Sequence, residues 1–214
     1  MSLVAAGDSI VHAADSWPAW LARAMGQELR RVSADGARSD DVLEQVATLG
    51  EDRYAVACLS VGTNDVLFGT DPGDFRERVG AIVAALRERA DRVLVATVTR
   101  SLARFPGAGA GVARRVDDVN AVLAGCGATV VQGDDLHGPR LLQADRIHPT
   151  REGQLLLADR AAAALGVTPA PSTAAGGAGP VPRWTYHRVG AAQAPRQVLK
   201  RVLRRPAYRG PRAG

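Results

Sequence analysis

The chain has 214 residues, 46% of them hydrophobic and 4% aromatic, with a formal net charge of +5 at pH 7. That is room for one domain plus extras, with a core packed mainly by Ala, Val and Leu, and its apolar stretches are too short to span a bilayer. The charge is uneven: residues 183–214 hold nine Arg/Lys and no Asp or Glu, which leaves 18 basic and 22 acidic residues in 1–182, a net of −4, and argues against a uniformly nucleic-acid-binding surface.

Leu3–Ala6 is a short apolar run ending in Gly7-Asp8-Ser9, which predicts a buried strand and a tight turn. Asp15 or Ser16 is suited to cap a helix that has Pro18 in its first turn and Trp17, Trp20, Leu21 and Met25 on its inner side. Glu28–Ser33 predicts a weaker strand. Ser39 is expected to cap a helix over Asp40–Leu49, with Gly50 as its stop. Tyr54–Ser60 is a continuous apolar strand that delivers Gly62-Thr63-Asn64-Asp65 at its carboxyl end. Phe75–Arg89 has helical periodicity, Arg92–Val98 reads as a buried strand, and the Gly/Pro/Ala-rich stretch Arg100–Gly111 predicts a mobile loop. Val112–Leu123 reads as helix, Ala128–Gln132 as the last strand, and Glu152–Leu165 as the last helix of the body. Strands alternating with helices predict a parallel sheet covered on both faces, with ligands held outside the carboxyl ends of its strands.

Gly166–Pro182 carries no charge and reads as a flexible Ala/Gly/Pro linker, so the expected organisation is a body over 1–165, a linker over 166–182 and a basic tail over 183–214. Cys58 and Cys126 read as buried free thiols. Met1-Ser2-Leu3-Val4 runs into the first motif without a basic-then-apolar leader, and a cytoplasmic protein is the expectation.

Three strings carry chemistry: Gly7-Asp8-Ser9, Gly62-Thr63-Asn64-Asp65 and Asp145-Arg146-Ile147-His148. They supply a serine hydroxyl, an asparagine amide and an Asp/His pair. Serine-based acyl transfer needs that set: a histidine to take the hydroxyl proton, a carboxylate to orient the histidine, and fixed donors for the oxyanion. Taken singly, each has a plainer reading: a turn or cap serine, a turn asparagine, a loop histidine. Asp8 and Asp65 read as loop-shaping carboxylates. No His/Cys cluster stands at metal-ligand spacing, so neither a metal nor a cofactor is expected.

The order and spacing of these strings resemble the SGNH, or GDSL-like, hydrolase family, over about residues 3–165. A further block, Ala34-Asp35-Gly36-Ala37-Arg38-Ser39, is similar to the family's second, glycine-bearing block, though Gly36 also reads as a plain turn glycine. The resemblance implies a flavodoxin-like three-layer α/β/α sandwich. It implies Ser9, Asp145 and His148 as catalytic residues, and Ser9, Gly36 and Asn64 as the oxyanion hole. It further implies a serine esterase that works through an acyl-enzyme on a small acyl or acetyl ester, or a lysophospholipid. The alternative is a non-catalytic binding protein of the same fold, targeted by its tail.

Between Pro195 and Pro206, Val198, Leu199, Val202 and Leu203 share one helical face, and Lys200, Arg201, Arg204 and Arg205 the other. Such a segment suits an anionic membrane or an acidic partner; disorder and docking onto its own acidic body are the competing readings. No recognised nucleic-acid module accompanies the charge. Truncation after about Pro182 is expected to leave turnover of a small soluble ester nearly unchanged, the tail's nine positive charges governing association with anionic surfaces instead. Vesicle binding by the full chain is expected to weaken with added salt. Sedimentation with vesicles, with ester turnover assayed in parallel, checks both.

Overall fold

The computed structural model describes residues 2–105 and 111–175. Its centre is made by three apolar runs. β1 (Leu3–Gly7) is buried at every position, β3 (Tyr54–Ser60) at all but one, and β4 (Ala90–Ala96) over its last four residues. Such runs, unlike alternating ones, belong to parallel strands covered on both faces. The edges are β2 (Leu29–Ser33), half-buried, and β5 (Thr129–Val131). Arg30 and Arg31 put charge on the β2 edge, which discourages pairing with another chain. All strands are parallel, in the order β2-β1-β3-β4-β5.

α3 (Ser39–Ala47) and α5 (Pro72–Arg89) pack against each other on one side of the sheet, with α6 (Val112–Gly125) against α5. α2 (Trp17–Ala24) packs with α8 (Arg151–Leu165) on the other. Short helices α1 (Ser9–His12), α4 (Thr63–Phe68) and α7 (Gly138–Leu141) lie at loop positions. The three-layer α/β/α architecture is therefore the one expected. No helix among the described residues is long and apolar enough to cross a membrane.

Several boundaries differ from the sequence reading, for local reasons. The third helix begins at Ser39 itself with Arg38 at its cap, because the Ser39 hydroxyl goes to Asp65 instead. That helix ends at Ala47, three residues before Gly50. Arg100–Arg104 forms a 3-10 turn after Thr99, whose hydroxyl accepts the Ser101 N–H at 3.1 Å; residues 106–110 of the expected loop lie outside the described residues. The start of the expected linker is also corrected. Residues 166–175 fold back as α9 (Pro171–Ala174) onto α8 and α2, with Pro171 buried and the Ser172 N–H donating to Asp159 Oδ1 at 2.8 Å. The remainder of the linker and the basic tail lie outside the described residues. Cys58 is buried and Cys126 half-buried, and neither is in a disulfide.

The strand order reverses direction between β1 and β3, since β2 lies on one side of β1 and β3, β4 and β5 on the other. At such a switch point the loops diverge and leave a crevice at the carboxyl ends. The ends here are level: Gly7 is opposite both Ser33 and Ser60. Gly7 has φ +140°, and a Cβ there would stand 2.0 Å from the Ser60 carbonyl oxygen. Gly7→Ala is therefore expected to cost at least about 2 kcal/mol, from backbone strain plus overpacking. Chemical denaturation of the variant against the parent chain measures it.

Candidate active site

The residue two places after Gly7 opens α1. Asp8 caps that helix, its Oδ1 accepting the Ile10 N–H at 3.0 Å, and its own N–H donates to the Ser60 carbonyl at 3.1 Å. Ser9 is thereby held at the first helical position, where a backbone N–H has no intrahelical acceptor.

Asp145 and His148 come from a turn closed by the bridge between Leu142 and Pro149. Asp145 Oδ1 accepts the N–H groups of Ile147 and His148 at 2.9 and 3.0 Å. Arg146 has φ +60°, a left-handed conformation that lets the chain fold back over the carboxylate. Asp145 Oδ2 is left for the His148 Nδ1–H, at 2.6 Å. With the proton on Nδ1, Nε2 is an acceptor, and the Ser9 hydroxyl donates to it at 2.8 Å. Ser9, His148 and Asp145 thus form one continuous hydrogen-bonded chain across 139 residues of sequence. The two residues between Asp145 and His148 are also engaged: Ile147 is buried, and the Arg146 guanidinium donates to the Arg104 carbonyl at 3.1 Å.

The two remaining predicted donors lie just after the carboxyl ends of β2 and β3. Asp35 and Gly36 occupy the centre of a turn closed by the Ala37 N–H to the Ala34 carbonyl at 3.2 Å, with Gly36 at φ +77°. The Ala34 N–H docks this turn on the Gly7 carbonyl at 3.1 Å. Asn64 lies in the first turn of α4, and its side-chain amide donates to the Ala37 carbonyl at 3.0 Å. That bond uses one of the two amide hydrogens and aims the group. Asp65 fastens the same two loops, accepting from the Ser39 hydroxyl at 2.7 Å and from the Ser39 N–H at 3.1 and 3.2 Å. Gly36 and Asn64 are therefore on loops joined to each other and, through Ala34, to the end of β1.

A contact that sequence reasoning missed ties the two halves together. Buried Gln154, on α8 just after His148, accepts the Trp17 N–H at 2.8 Å and donates to the Ile10 carbonyl at 3.1 Å. It fixes the Ser9 helix against the histidine-bearing segment. His12 is exposed and bonds Ser33 Oγ; His137 bonds the Asp135 carbonyl; His187 lies outside the described residues. Among the described residues no group of three His, Cys, Asp or Glu side chains could hold a metal ion.

The electrostatics centre on His148. Burial favours its neutral form, but the hydrogen bond and charge of Asp145, with the fields of Asp8 and Asp35, outweigh burial and raise its pKa. For Asp145, burial acts upward, and the His148 contact with the two backbone N–H groups brings it below the usual carboxylate range. Asp8 is the opposite case: complete burial pushes it up to about 7, against the Ile10 N–H and the charge of His148. Only the nearby Ser60 hydroxyl further eases its charge. Burial also raises Asp65, against its bonds from Ser39.

Residues 5–156 match the GDSL-like Lipase/Acylhydrolase family. Comparison with curated protein sequences gives no match. Among solved structures, the chain is similar to TesA, at 25% identity and TM-score 0.60, over 77% of this chain and 98% of that one. It is also similar to a member of the lipolytic protein G-D-S-L family from Veillonella parvula DSM 2008, at 19% identity and TM-score 0.61, over 78% and 98%. A third is the psychrotrophic esterase EstA from Pseudoalteromonas sp., in a structure inhibited by monoethylphosphonate, at 18% identity and TM-score 0.60, over 77% and 96%.

The proton balance at His148 is open to direct measurement. Its imidazole is expected to titrate above the ordinary 6.5, and Asp145→Asn is expected to lower that midpoint, because the variant removes the hydrogen-bonded charge and keeps the burial. NMR titration of the histidine ring protons reads both.

Proposed function

The chain belongs to the GDSL-like lipase/acylhydrolase family, and from that premise we propose that it is a serine esterase that cleaves a carboxylic ester of small acyl size through an acyl-enzyme. The observation that carries this reading is the unbroken chain from Ser9 Oγ to His148 Nε2 at 2.8 Å and from His148 Nδ1 to Asp145 Oδ2 at 2.6 Å. That is the geometry a serine needs to lose its proton as it attacks.

In this mechanism Ser9 Oγ adds to the ester carbonyl carbon while its proton passes to His148 Nε2. Asp145 keeps Nδ1 protonated and balances the imidazolium. The carbonyl oxygen becomes an oxyanion, which accepts hydrogen bonds from the Ser9 and Gly36 N–H groups and from the second N–H of the Asn64 amide. Collapse expels the alkoxide, which takes the proton from His148 and leaves as the alcohol. Water then enters, gives its proton to His148 and adds to the acyl carbon; the acid is released as the proton returns to Ser9. The donors are worth most when the negative charge has formed, so their effect falls on kcat.

The raised pKa of His148 sets the direction of the pH dependence. The base works only when neutral, so the rate rises as pH climbs through the His148 midpoint, and the acid limb of kcat/KM is expected above the ordinary 6.5. Turnover of p-nitrophenyl acetate and butyrate tests the reading. Ser9→Ala is expected to abolish it without unfolding the chain, and Asn64→Ala to lower kcat by roughly 10²–10³-fold. Normal turnover by Ser9→Ala, or an Asn64→Ala effect confined to KM, would contradict the assignment.

A further inference from the structure

Of the carboxylates beside the site that the mechanism does not use, one is exposed. Asp35 is exposed and sits next to Gly36 at the tip of the turn that rests on the end of β1. Among the described residues it has neither a hydrogen bond nor an ion pair, whereas most charged groups around it are engaged. Arg38 is bound to Asp40 at 2.6 Å, Arg146 to the Arg104 carbonyl, Asp145 to His148, and Asp65 to Ser39. The turn that carries Asp35 is docked on the Gly7 carbonyl at 3.1 Å, two residues before Ser9, which puts Asp35 at the rim of the site; its charge is also among those that raise His148. A substrate bound over Ser9 and His148, with its carbonyl oxygen toward Gly36, therefore lies within reach of this charge.

We propose, on the basis of the esterase reading, that Asp35 is a specificity-determining residue: an unpaired carboxylate at the rim that favours esters carrying a cationic group and disfavours esters carrying an anionic one. Asp8 is fully buried, whereas Asp35 is exposed and meets a substrate charge through water. Opposite charges near a protein surface attract by an amount that salt reduces, so the preference is a modest, screenable factor. The chemical class indicated is an ester whose acyl or alcohol part ends in an amine or quaternary ammonium, in preference to one ending in a carboxylate or phosphate.

The test uses three p-nitrophenyl esters of matched length, ending in trimethylammonium, methyl and carboxylate. Values of kcat/KM are measured for the full chain, Asp35→Asn and Asp35→Lys. Assayed at a pH above the His148 midpoint, where the ring is neutral in parent and variants alike, the cationic-to-anionic ratio is expected to fall by roughly three- to ten-fold in Asp35→Asn and further in Asp35→Lys, with the neutral ester as the internal reference for each variant. About 0.5 M salt should bring the parent ratio toward that of Asp35→Asn. A merely structural role would lower all three esters together and leave the ratio unchanged, and an unchanged ratio overturns the proposal. Absence of turnover of all three esters by the parent chain would instead remove the esterase reading. In that case, binding of the matching amides, followed by the ring shifts of His148, decides on Asp35: tighter binding of the cationic amide by the parent than by Asp35→Asn supports it, and equal binding refutes it.

Discussion

The close approach of β1 and β3 at their carboxyl ends is the constraint on which the rest depends. There is no room for a side chain between Gly7 and the Ser60 carbonyl. Because the backbones are that close, the Asp8 N–H reaches Ser60, the Asp8 carboxylate turns inward to cap α1, and Ser9 emerges at the first free position. The Gly7 carbonyl is free on the other side to receive Ala34, which brings in the loop that carries Asp35 and Gly36. One glycine therefore places the hydroxyl and one of the facing loops. Such placement on rigid strand ends, with loops tied by buried polar bonds, is what a reaction sensitive to misplacement requires.

Three carboxylates share this small volume, and their surroundings separate them. Asp145 is stabilised in its charged form by two backbone N–H groups and the imidazole. Asp65 is half-compensated by Ser39. Asp8 is fully buried, and that burial pushes it up to about 7. Burial costs a charge unless hydrogen bonds and opposite charge replace the lost water, and of the three only Asp145 has the His148 ring as a direct hydrogen-bonded partner. The result is a histidine with a strong local partner and a weaker, pH-dependent background, inside a family of hydrolases.

The parts of the site that are legible in the sequence are those written in short strings at strand ends. Ser9, Asn64 and the Asp145/His148 pair each follow an apolar run or a turn signal, and the structure brings Ser9, His148 and Asp145 within hydrogen-bond reach of one another. The central strands are equally legible, since continuous apolar runs bounded by Gly and Asp have few other readings. What escapes is long-range or short. Gln154 meets Ile10 across 144 positions, and Ser39 turns from its own helix to Asp65 26 positions away; neither contact leaves a periodic trace. α4 has six residues, too few for a period to show. Residues 166–175 have the composition of a linker, yet the burial of Pro171 and the bond from Ser172 to Asp159 fold them onto the body.

The central claim is that Ser9 becomes covalently acylated during turnover. Rapid quenching of the full chain with p-nitrophenyl acetate in the pre-steady state, followed by peptide mass analysis, tests it most directly. The account predicts a burst of p-nitrophenol of about one equivalent per chain, provided that deacylation is the slower step, and one acetyl group on the peptide containing Ser9. Steady turnover with acetyl on another residue, or with no covalent adduct when acylation is the faster step, would contradict it.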